Sequence, residues 1–357
     1  MKPMTSHERF QRMFAHQEAD RVPIIDEPWE ATIERWQSEG MPADISFVDY
    51  FGLDKFVNIA LTDNSPQYPQ QVLSETETDI TYTSAWGVTM KQWKHAASTP
   101  EFLNFTIVDA DSWRKAKEHI APHRERVYWN LLEKKYKTWR EQDAWIAPVV
   151  WFGFDVTHSW MVGTERVLVA LAEDPEWILD MWRTQLETDL ALLDMVWEAG
   201  YTFDSILWYD DMGYKQHQFF SLRMYRNLLK PFHQRAIEWA HAKGIKAHLH
   251  SCGDIRPFIP ELVEMGLDAL NPLEVKAGMD PLKLKELYGR QLVLHGGVNA
   301  VLWDQPEVIH AEMEKIIPVM KENGGYIFSS DHSVPSSVSL QDFRRIVELA
   351  KQLGSYT

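Results

Sequence analysis

Short apolar runs alternate along this chain with longer segments in which apolar residues recur every three to four positions. Runs of four to seven residues rich in apolar side chains predict strands. The eight predicted strands are 22–25, 56–61, 145–151, 206–209, 247–250, 269–273, 292–295 and 326–329. Longer periodic segments predict helices, and several begin near proline and end near glycine, as helices commonly do. These helices are 175–198, 222–242, 257–265, 281–288, 306–322 and 340–353.

Repeated strand–helix alternation predicts an α/β fold with a parallel sheet, and eight such units close into a (β/α)8 TIM barrel. An open doubly wound sheet is the alternative, but no glycine-rich phosphate loop follows an early strand. A helix starting at Thr5 or Ser6 predicts an N-terminal extension ahead of the barrel. Polar–apolar alternation over 80–93 predicts a β-hairpin insertion, and the charged segment 111–140 predicts a helical insertion. We expect one domain, 1–357.

Composition narrows the class of protein. The chain has 357 residues, 45% of them hydrophobic and 25% charged, and its formal net charge is −16. That charge argues against nucleic acid or an anionic membrane as a partner. Neither a signal peptide nor an apolar run of membrane-spanning length is evident. Cys252 is the single cysteine, so an internal disulfide is impossible, which fits a reducing cytoplasm. We therefore expect a cytoplasmic protein.

Catalytic groups of such barrels lie where strands end and the following loops begin. His250 and Cys252 are two residues apart at the end of a predicted strand, so both side chains lie on one face if the chain stays extended. An imidazole and a thiolate at this spacing suit zinc, which needs a third protein ligand and an open position to be catalytic. The H-x-C pattern alone also fits a buried cysteine beside a hydrogen-bonded histidine.

Other polar and aromatic residues at strand ends complete the candidate site. Asp210 and Asp211 are candidate acid–base groups, or groups that orient a ligand histidine, although an aspartate there can also cap a loop. The candidate substrate-binding residues, for which core packing is the competing interpretation, are Trp151, Phe152, Tyr209 and His295.

Several motifs together resemble those of the uroporphyrinogen decarboxylase superfamily, and more closely its branch of corrinoid-dependent methyltransferases. The central one is His250-Ser-Cys252-Gly-Asp, followed by Asp268-Ala-Leu-Asn271-Pro272. The others, spread nearly from end to end, are Asp20-Arg-Val-Pro23, Gly163-Thr-Glu165, Asp174-Pro-Glu176, Asp210-Asp-Met-Gly213, Leu294-His-Gly-Gly-Val298 and Ser330-Asp-His-Ser-Val-Pro335. The resemblance implies a uroporphyrinogen decarboxylase-like barrel.

Two activities of that superfamily compete. The decarboxylase binds an octa-carboxylate tetrapyrrole and carries an arginine-rich signature after its first strand. Here that stretch contains Asp26 and Glu27, with Arg21 before the strand and Arg35 well beyond it. Acidic residues stand where cations are required, and the net charge of −16 adds to the mismatch. We therefore expect no porphyrinogen decarboxylation.

The resembling methyltransferases bind zinc through H-x-C and a second cysteine at the end of the eighth strand. Because this chain lacks that cysteine, His332 is the predicted third ligand beside His250 and Cys252, with Asp331 or Glu274 as alternatives. Glu274 also joins Asp210 and Asp211 as a candidate catalytic group. The resemblance implies a demethylase that moves methyl from a small methylated donor, methoxy or similar, to a corrinoid (cobalamin) carried by a partner protein. A decarboxylase and a non-catalytic ligand-binding barrel are the alternative functions. A homodimer is also compatible with the sequence.

Overall fold

The structure is a computed structural model that describes residues 3–94 and 99–356. Parallel strands form the predicted barrel. They are the extended segment 22–25 and the strands Phe56–Ile59, Trp145–Pro148, Ser205–Tyr209, Lys246–His250, Ala269–Asn271, Val293–His295 and Tyr326–Ile327. The ring closes through a parallel bridge between Ile24 and Phe328 and through the Asp54 N–H, which donates to the Ile24 carbonyl at 2.9 Å. A second parallel bridge, between Val149 and Leu207, joins the two-stranded and the five-stranded parts of the barrel sheet. The barrel prediction is confirmed.

The first barrel strand is the most irregular of the ring. The carbonyl of Pro23 accepts from the Phe328 N–H at 2.9 Å, and the Ile25 N–H donates to the Phe328 carbonyl at 3.1 Å. Pro23 itself has no N–H to donate to the last strand, and on the other side the Ile24 N–H donates to the Asp54 side chain at 2.8 Å instead of to a strand carbonyl. The segment therefore has the position and direction of a strand without a continuous ladder.

Helices cover the outside of the barrel. Their bounds are Ser6–Phe14, Glu30–Ser38, Phe47–Phe51, Ala110–Lys117, Trp129–Glu141, Thr164–Glu173, Glu176–Glu198, Leu222–Met224, Lys230–Ala242, Ile259–Glu264, Pro281–Tyr288, Pro306–Met320 and Leu340–Leu353. Short 3-10 turns lie at Arg124–Arg126, Val275–Ala277 and Ala300–Leu302, and wider π turns lie at Val156–Met161 and Tyr225–Leu229. Among the helices of the described ranges, none is long and apolar enough to cross a membrane.

The predicted helix 222–242 contains the widened turn Tyr225–Leu229. Pro231 lies two residues after the end of this turn, and its missing N–H removes one hydrogen bond of the α-helical pattern. A wider turn accommodates that loss without ending the helix. The helix exists as predicted, with a local change of winding.

The insertion before the third barrel strand is larger than the predicted hairpin 80–93. It is an antiparallel sheet of the strands Val72–Glu75, Asp79–Thr83, Val88–Trp93 and Glu101–Phe105, paired in chain order. The predicted hairpin is confirmed as the central pair of strands, and one further strand lies on each side of it. Val72 and Leu73 of the first strand are 59% and 55% exposed, so the polar–apolar alternation that marks a half-buried strand is missing there.

The N-terminal helix Ser6–Phe14 closes the lower end of the barrel. Phe10 and Phe14 pack on the Trp145 ring with centroid distances of 5.7 and 4.9 Å. They join an apolar cluster inside the barrel that includes Leu207 and Ile327. Since this end is filled, the interior is accessible from the carboxyl ends of the strands, which is where the candidate site residues lie.

Candidate functional site

A cavity of about 330 Å³ lies at the carboxyl ends of the barrel strands. Its volume is at the lower end of the range of small-molecule sites, which is about 300–1,000 Å³. The polar residues of its wall are Asp26, Glu27, Asp54, Asn58, Tyr209, His250, Asn271, His295, Ser329, Ser330, His332 and Ser333. Among the residues that the structure describes, no lysine or arginine lines this wall.

Asp211, His250 and Cys252 bring three ligand atoms within 4.8 Å of one another. His250 Nε2 lies 3.4 Å from Cys252 Sγ and 3.8 Å from Asp211 Oδ1. His250 ends the strand Lys246–His250, and Cys252 follows on the same face. Asp211 comes from the loop after the neighbouring strand Ser205–Tyr209, which pairs with it in parallel. The predicted proximity of His250 and Cys252 is therefore present in the structure.

The ring of His250 is oriented by a neighbouring strand. Its Nδ1 lies 2.5 Å from Oδ1 of Asn271, which is the residue paired with His250 across the ladder. An amide oxygen can only accept, so Nδ1 carries the proton and Nε2 keeps its lone pair. That lone pair belongs to the nitrogen beside Cys252 and Asp211. This is how histidine ligands of metals are commonly fixed in place.

The loop that carries Cys252 is braced on both sides. The Cys252 N–H donates to Asp211 Oδ1 at 2.7 Å, and the Gly253 N–H donates to Glu274 Oε2 at 2.6 Å. Gly253 has φ +80°, and a Cβ there would overlap the backbone of Gly213. Glu274, a predicted catalytic or ligand residue, thus holds the loop and pairs with Lys276 Nζ at 3.3 Å.

Burial and neighbouring carboxylates disfavour negative charge on the acidic groups of the cluster. Burial raises the pKa of the Cys252 thiol well above its usual range, and the nearby Asp211 and Glu274 carboxylates add to the effect. Burial, with a contribution from Asp155, raises the pKa of Asp211 to about 6. One imidazole nitrogen, one sulfur and one carboxylate oxygen form a donor set that zinc accepts, and a dication would neutralise the thiolate and carboxylate together. The residues present therefore fit a zinc ion.

His332, the predicted third ligand, lies in the wall of the same cavity as His250 but outside the three-residue cluster. Its ring lies 6.1 Å from that of Trp29, and its carbonyl contacts Ser330 Oγ. The ligand role of His332 stays a prediction. Asp331, its alternative, accepts from the N–H groups of Val275 at 2.9 Å and Ala300 at 2.7 Å, and so ties two loops together.

Asp210 and Asp211 are adjacent in sequence but lie in different environments. Asp210 is completely buried, and its carboxylate contacts His233 Nε2 at 2.8 Å and accepts from the Asp155 N–H at 2.8 Å. His233 Nδ1 in turn lies 3.0 Å from the Tyr225 hydroxyl. Asp210 therefore links the barrel to the helix Lys230–Ala242 and does not line the cavity, whereas Asp211 is in the cluster.

The predicted substrate-binding residues divide in a similar way. Tyr209 and His295 line the cavity. Trp151 stacks behind Tyr209 with a centroid distance of 5.6 Å and an interplanar angle of 16°. Phe152 is fully buried and packs on Trp208, which makes it a core residue rather than part of the cavity wall. The core-packing interpretation therefore describes Phe152.

Asp26 is a cavity residue to which sequence reasoning assigned no role. Its carboxylate accepts from the Ser330 N–H at 3.0 Å and from Ser330 Oγ at 2.6 Å. Burial raises the pKa of Asp26 to about 7. The available signal was its position directly after the first strand.

The chain is similar to one known protein family and to solved structures. The family model described as Uroporphyrinogen decarboxylase (URO-D) matches residues 156–353. No curated protein matches the chain. The fold is similar to that of a solved structure, a methyltransferase from Methanosarcina mazei, with a TM-score of 0.67 and 16% sequence identity. That similarity covers 98% of this chain and 99% of the other, so it extends to the insertion and the N-terminal helix.

Proposed function

This chain belongs to the uroporphyrinogen decarboxylase family, and we propose that it acts there as a zinc-dependent demethylating methyltransferase. Its substrate is a small methylated compound, and the methyl acceptor is a corrinoid held by a partner protein. The observation that carries the proposal is the cluster of Asp211, His250 and Cys252 beside a closed-bottomed cavity. The fold similarity to a methyltransferase supports it.

His250, Cys252 and Asp211 would hold the ion, and His332, the third ligand predicted from the sequence, is the alternative to Asp211. Bound there, zinc would supply Lewis acidity to the heteroatom that carries the methyl group. Three protein ligands leave a position open for a substrate atom, as catalytic zinc sites require. Asn271 holds the imidazole in the ligating tautomer, and Glu274 fixes the loop from which Cys252 extends.

The remaining cavity residues bind and shield the donor. Tyr209, with Trp151 behind it, presents an aromatic wall beside the His250 ring, at a centroid distance of 4.7 Å. Asn58 Nδ2 donates to the Tyr209 hydroxyl at 2.5 Å and so fixes the angle of that wall. Asp26, with its pKa near 7, can deliver a proton to a leaving oxygen at neutral pH.

The decarboxylase alternative lacks the required cations. Arg21 is bound to Asp54 at 2.6 Å, and Arg35 is bound to Glu39 at 2.6 Å and to two carbonyls of the 336–337 loop. Neither lines the cavity. An eight-fold anion would therefore enter a small, acidic cavity without partners for its carboxylates, which is unfavourable.

The test is methyl transfer from a methoxylated aromatic alcohol to free cob(I)alamin, measured with zinc-loaded protein. We expect the demethylated phenol as product, with activity lost in Cys252→Ser and His250→Ala and retained in the exposed-site control His123→Ala. Absence of product from every methylated donor, together with conversion of uroporphyrinogen to coproporphyrinogen, would replace the proposal with the decarboxylase.

A further inference from the structure

We propose that the donor taken by this cavity is a methyl ether that carries no carboxylate, and that donors bearing a carboxylate are excluded. The inference rests on the proposed function and specifies its substrate class. It is carried by the charges on the cavity wall, the positions of the nearest cations and the lone pair that a metal-assisted demethylation needs.

The wall carries acids without free cations. Asp26 and Glu27 follow the first barrel strand and line the cavity, and Glu27 Oε1 accepts from Asn58 Nδ2 at 3.2 Å. A ligand carboxylate would be desolvated beside two groups of its own sign. Buried carboxylates are tolerated when a cation or several donors satisfy them, and a carboxylate without such a partner is costly.

The cations nearest this wall are already engaged. Arg9 Nη1 and Arg21 Nη1 bind the two oxygens of Asp54 at 2.9 and 2.6 Å, and Arg9 also binds Asp20. Lys276 pairs with Glu274. Redirecting one of these cations to a substrate would remove one of the two arginines that neutralise buried Asp54, or the lysine that pairs with buried Glu274. They are therefore unsuited to recognise an anionic donor.

The histidines of the wall do not replace those cations. His250, and His332 if it ligates, coordinate a metal only as neutral imidazoles. His295 is buried against His248, with 3.4 Å between Nδ1 and Nε2, and burial lowers its pKa well below the usual range. The side chains of the wall therefore offer hydrogen bonds and negative charge, and the charge of a bound zinc ion would be neutralised by Cys252 and Asp211.

The metal chemistry also excludes a quaternary ammonium group as the methyl donor. A Lewis acid acts on a heteroatom that has a lone pair, and a quaternary ammonium nitrogen has none. An ether oxygen has lone pairs and bears the methyl group directly. Transfer of methyl from R–O–CH₃ to a reduced corrinoid nucleophile breaks the O–CH₃ bond, leaves its electron pair on oxygen, and needs one proton to give R–OH. Asp26, whose carboxyl lines the cavity, can supply that proton.

The size and apolar lining of the cavity favour a single ring. The volume of about 330 Å³ is at the lower end of ligand sites. Phe56 and Leu207 line it together with the edge of Tyr209, so part of the wall suits an aromatic or aliphatic body. A monocyclic methyl ether satisfies the charge, lone-pair and size requirements together.

The test measures binding affinity by isothermal titration calorimetry at pH 8 without corrinoid. The three ligands differ in one substituent of the ring, which is neutral, anionic or cationic. These are 3-methoxybenzyl alcohol, 3-methoxybenzoate and protonated 3-methoxybenzylamine. We expect the alcohol and the amine each to bind at least tenfold more tightly than the benzoate, because the acids of the wall repel only the anion. The double variant Asp26→Asn/Glu27→Gln should reduce the preference over benzoate to about threefold or less. The control Asp44→Asn/Glu133→Gln, with the same charge change at exposed positions, should leave it intact.

Benzoate binding equal to or tighter than that of the alcohol would overturn the inference. Failure of all three probes at millimolar concentration would also overturn it. A charge preference in protein that transfers no methyl group would leave the donor class standing and refute the proposed function alone. Wild-type binding decides the inference even if the double variant unfolds.

Discussion

Replacing Asn271 by alanine should weaken zinc binding without touching any proposed ligand. Asn271 Oδ1 lies 2.5 Å from His250 Nδ1, and no other described contact to this nitrogen orients the ring. Without that acceptor, the imidazole can rotate and can place its proton on Nε2, the nitrogen that faces Cys252 and Asp211. Partners of this kind typically contribute 10–100-fold to metal affinity, or about 1.4–2.7 kcal/mol. We expect a loss in that range for Asn271→Ala.

The assay is competition for zinc between the protein and a chromophoric chelator. Asn271→Asp keeps an acceptor at the same position and should retain affinity within about threefold, because a carboxylate also accepts from Nδ1. Asn58→Ala is the matched control, since its amide contacts Tyr209 and Glu27 and not His250. Wild-type zinc affinity in Asn271→Ala would refute the orientation argument.

Three further substitutions test other parts of the site. Asp211→Ala should remove most of the bound zinc measured by elemental analysis, whereas His332→Ala should retain it, and the reverse result would restore His332 as third ligand. Asp210→Ala should lower the free energy of unfolding by about 1–3 kcal/mol, because it leaves Nε2 of buried His233 without its hydrogen-bond partner, and an unchanged denaturation midpoint would contradict this. Burial raises the pKa of Asp189 to about 7, so the folded state holds a proton that the unfolded state releases near pH 4. Stability should therefore fall as pH rises from about 4 to 7, by up to about 4 kcal/mol from this group, and Asp189→Asn should reduce the change in melting temperature between pH 5 and pH 8.

The barrel could be predicted from sequence because each strand is a short buried run followed by a helix with a clear apolar face. Periods of two and near 3.6 residues are local properties, so they are visible without a structure. The sheet of the insertion was only half predicted. Its strand Val72–Glu75 is exposed on both faces, and its pairing with Asp79–Thr83 leaves no hydrophobic alternation in the sequence.

Only those features of the site that a single strand determines could be predicted from the sequence. The positions of His250 and Cys252 on one face follow from strand periodicity. The choice between Asp210 and Asp211 depends on how the chain leaves the strand, and that is set by the contact of Asp210 with His233, 23 residues away. Likewise, the bond of Glu274 to the Gly253 N–H depends on packing between two loops. Contacts of this kind have no local sequence signal.

X-ray absorption at the zinc edge tests the central claim most directly, because it reports both the presence of the ion and the elements bound to it. Protein purified with zinc should contain one sulfur ligand at about 2.3 Å, with the remaining nitrogen or oxygen ligands at about 2.0–2.2 Å. In Cys252→Ser the sulfur contribution should disappear. A zinc-loaded protein whose spectrum shows only nitrogen and oxygen ligands, or a protein that binds no zinc, would contradict the account.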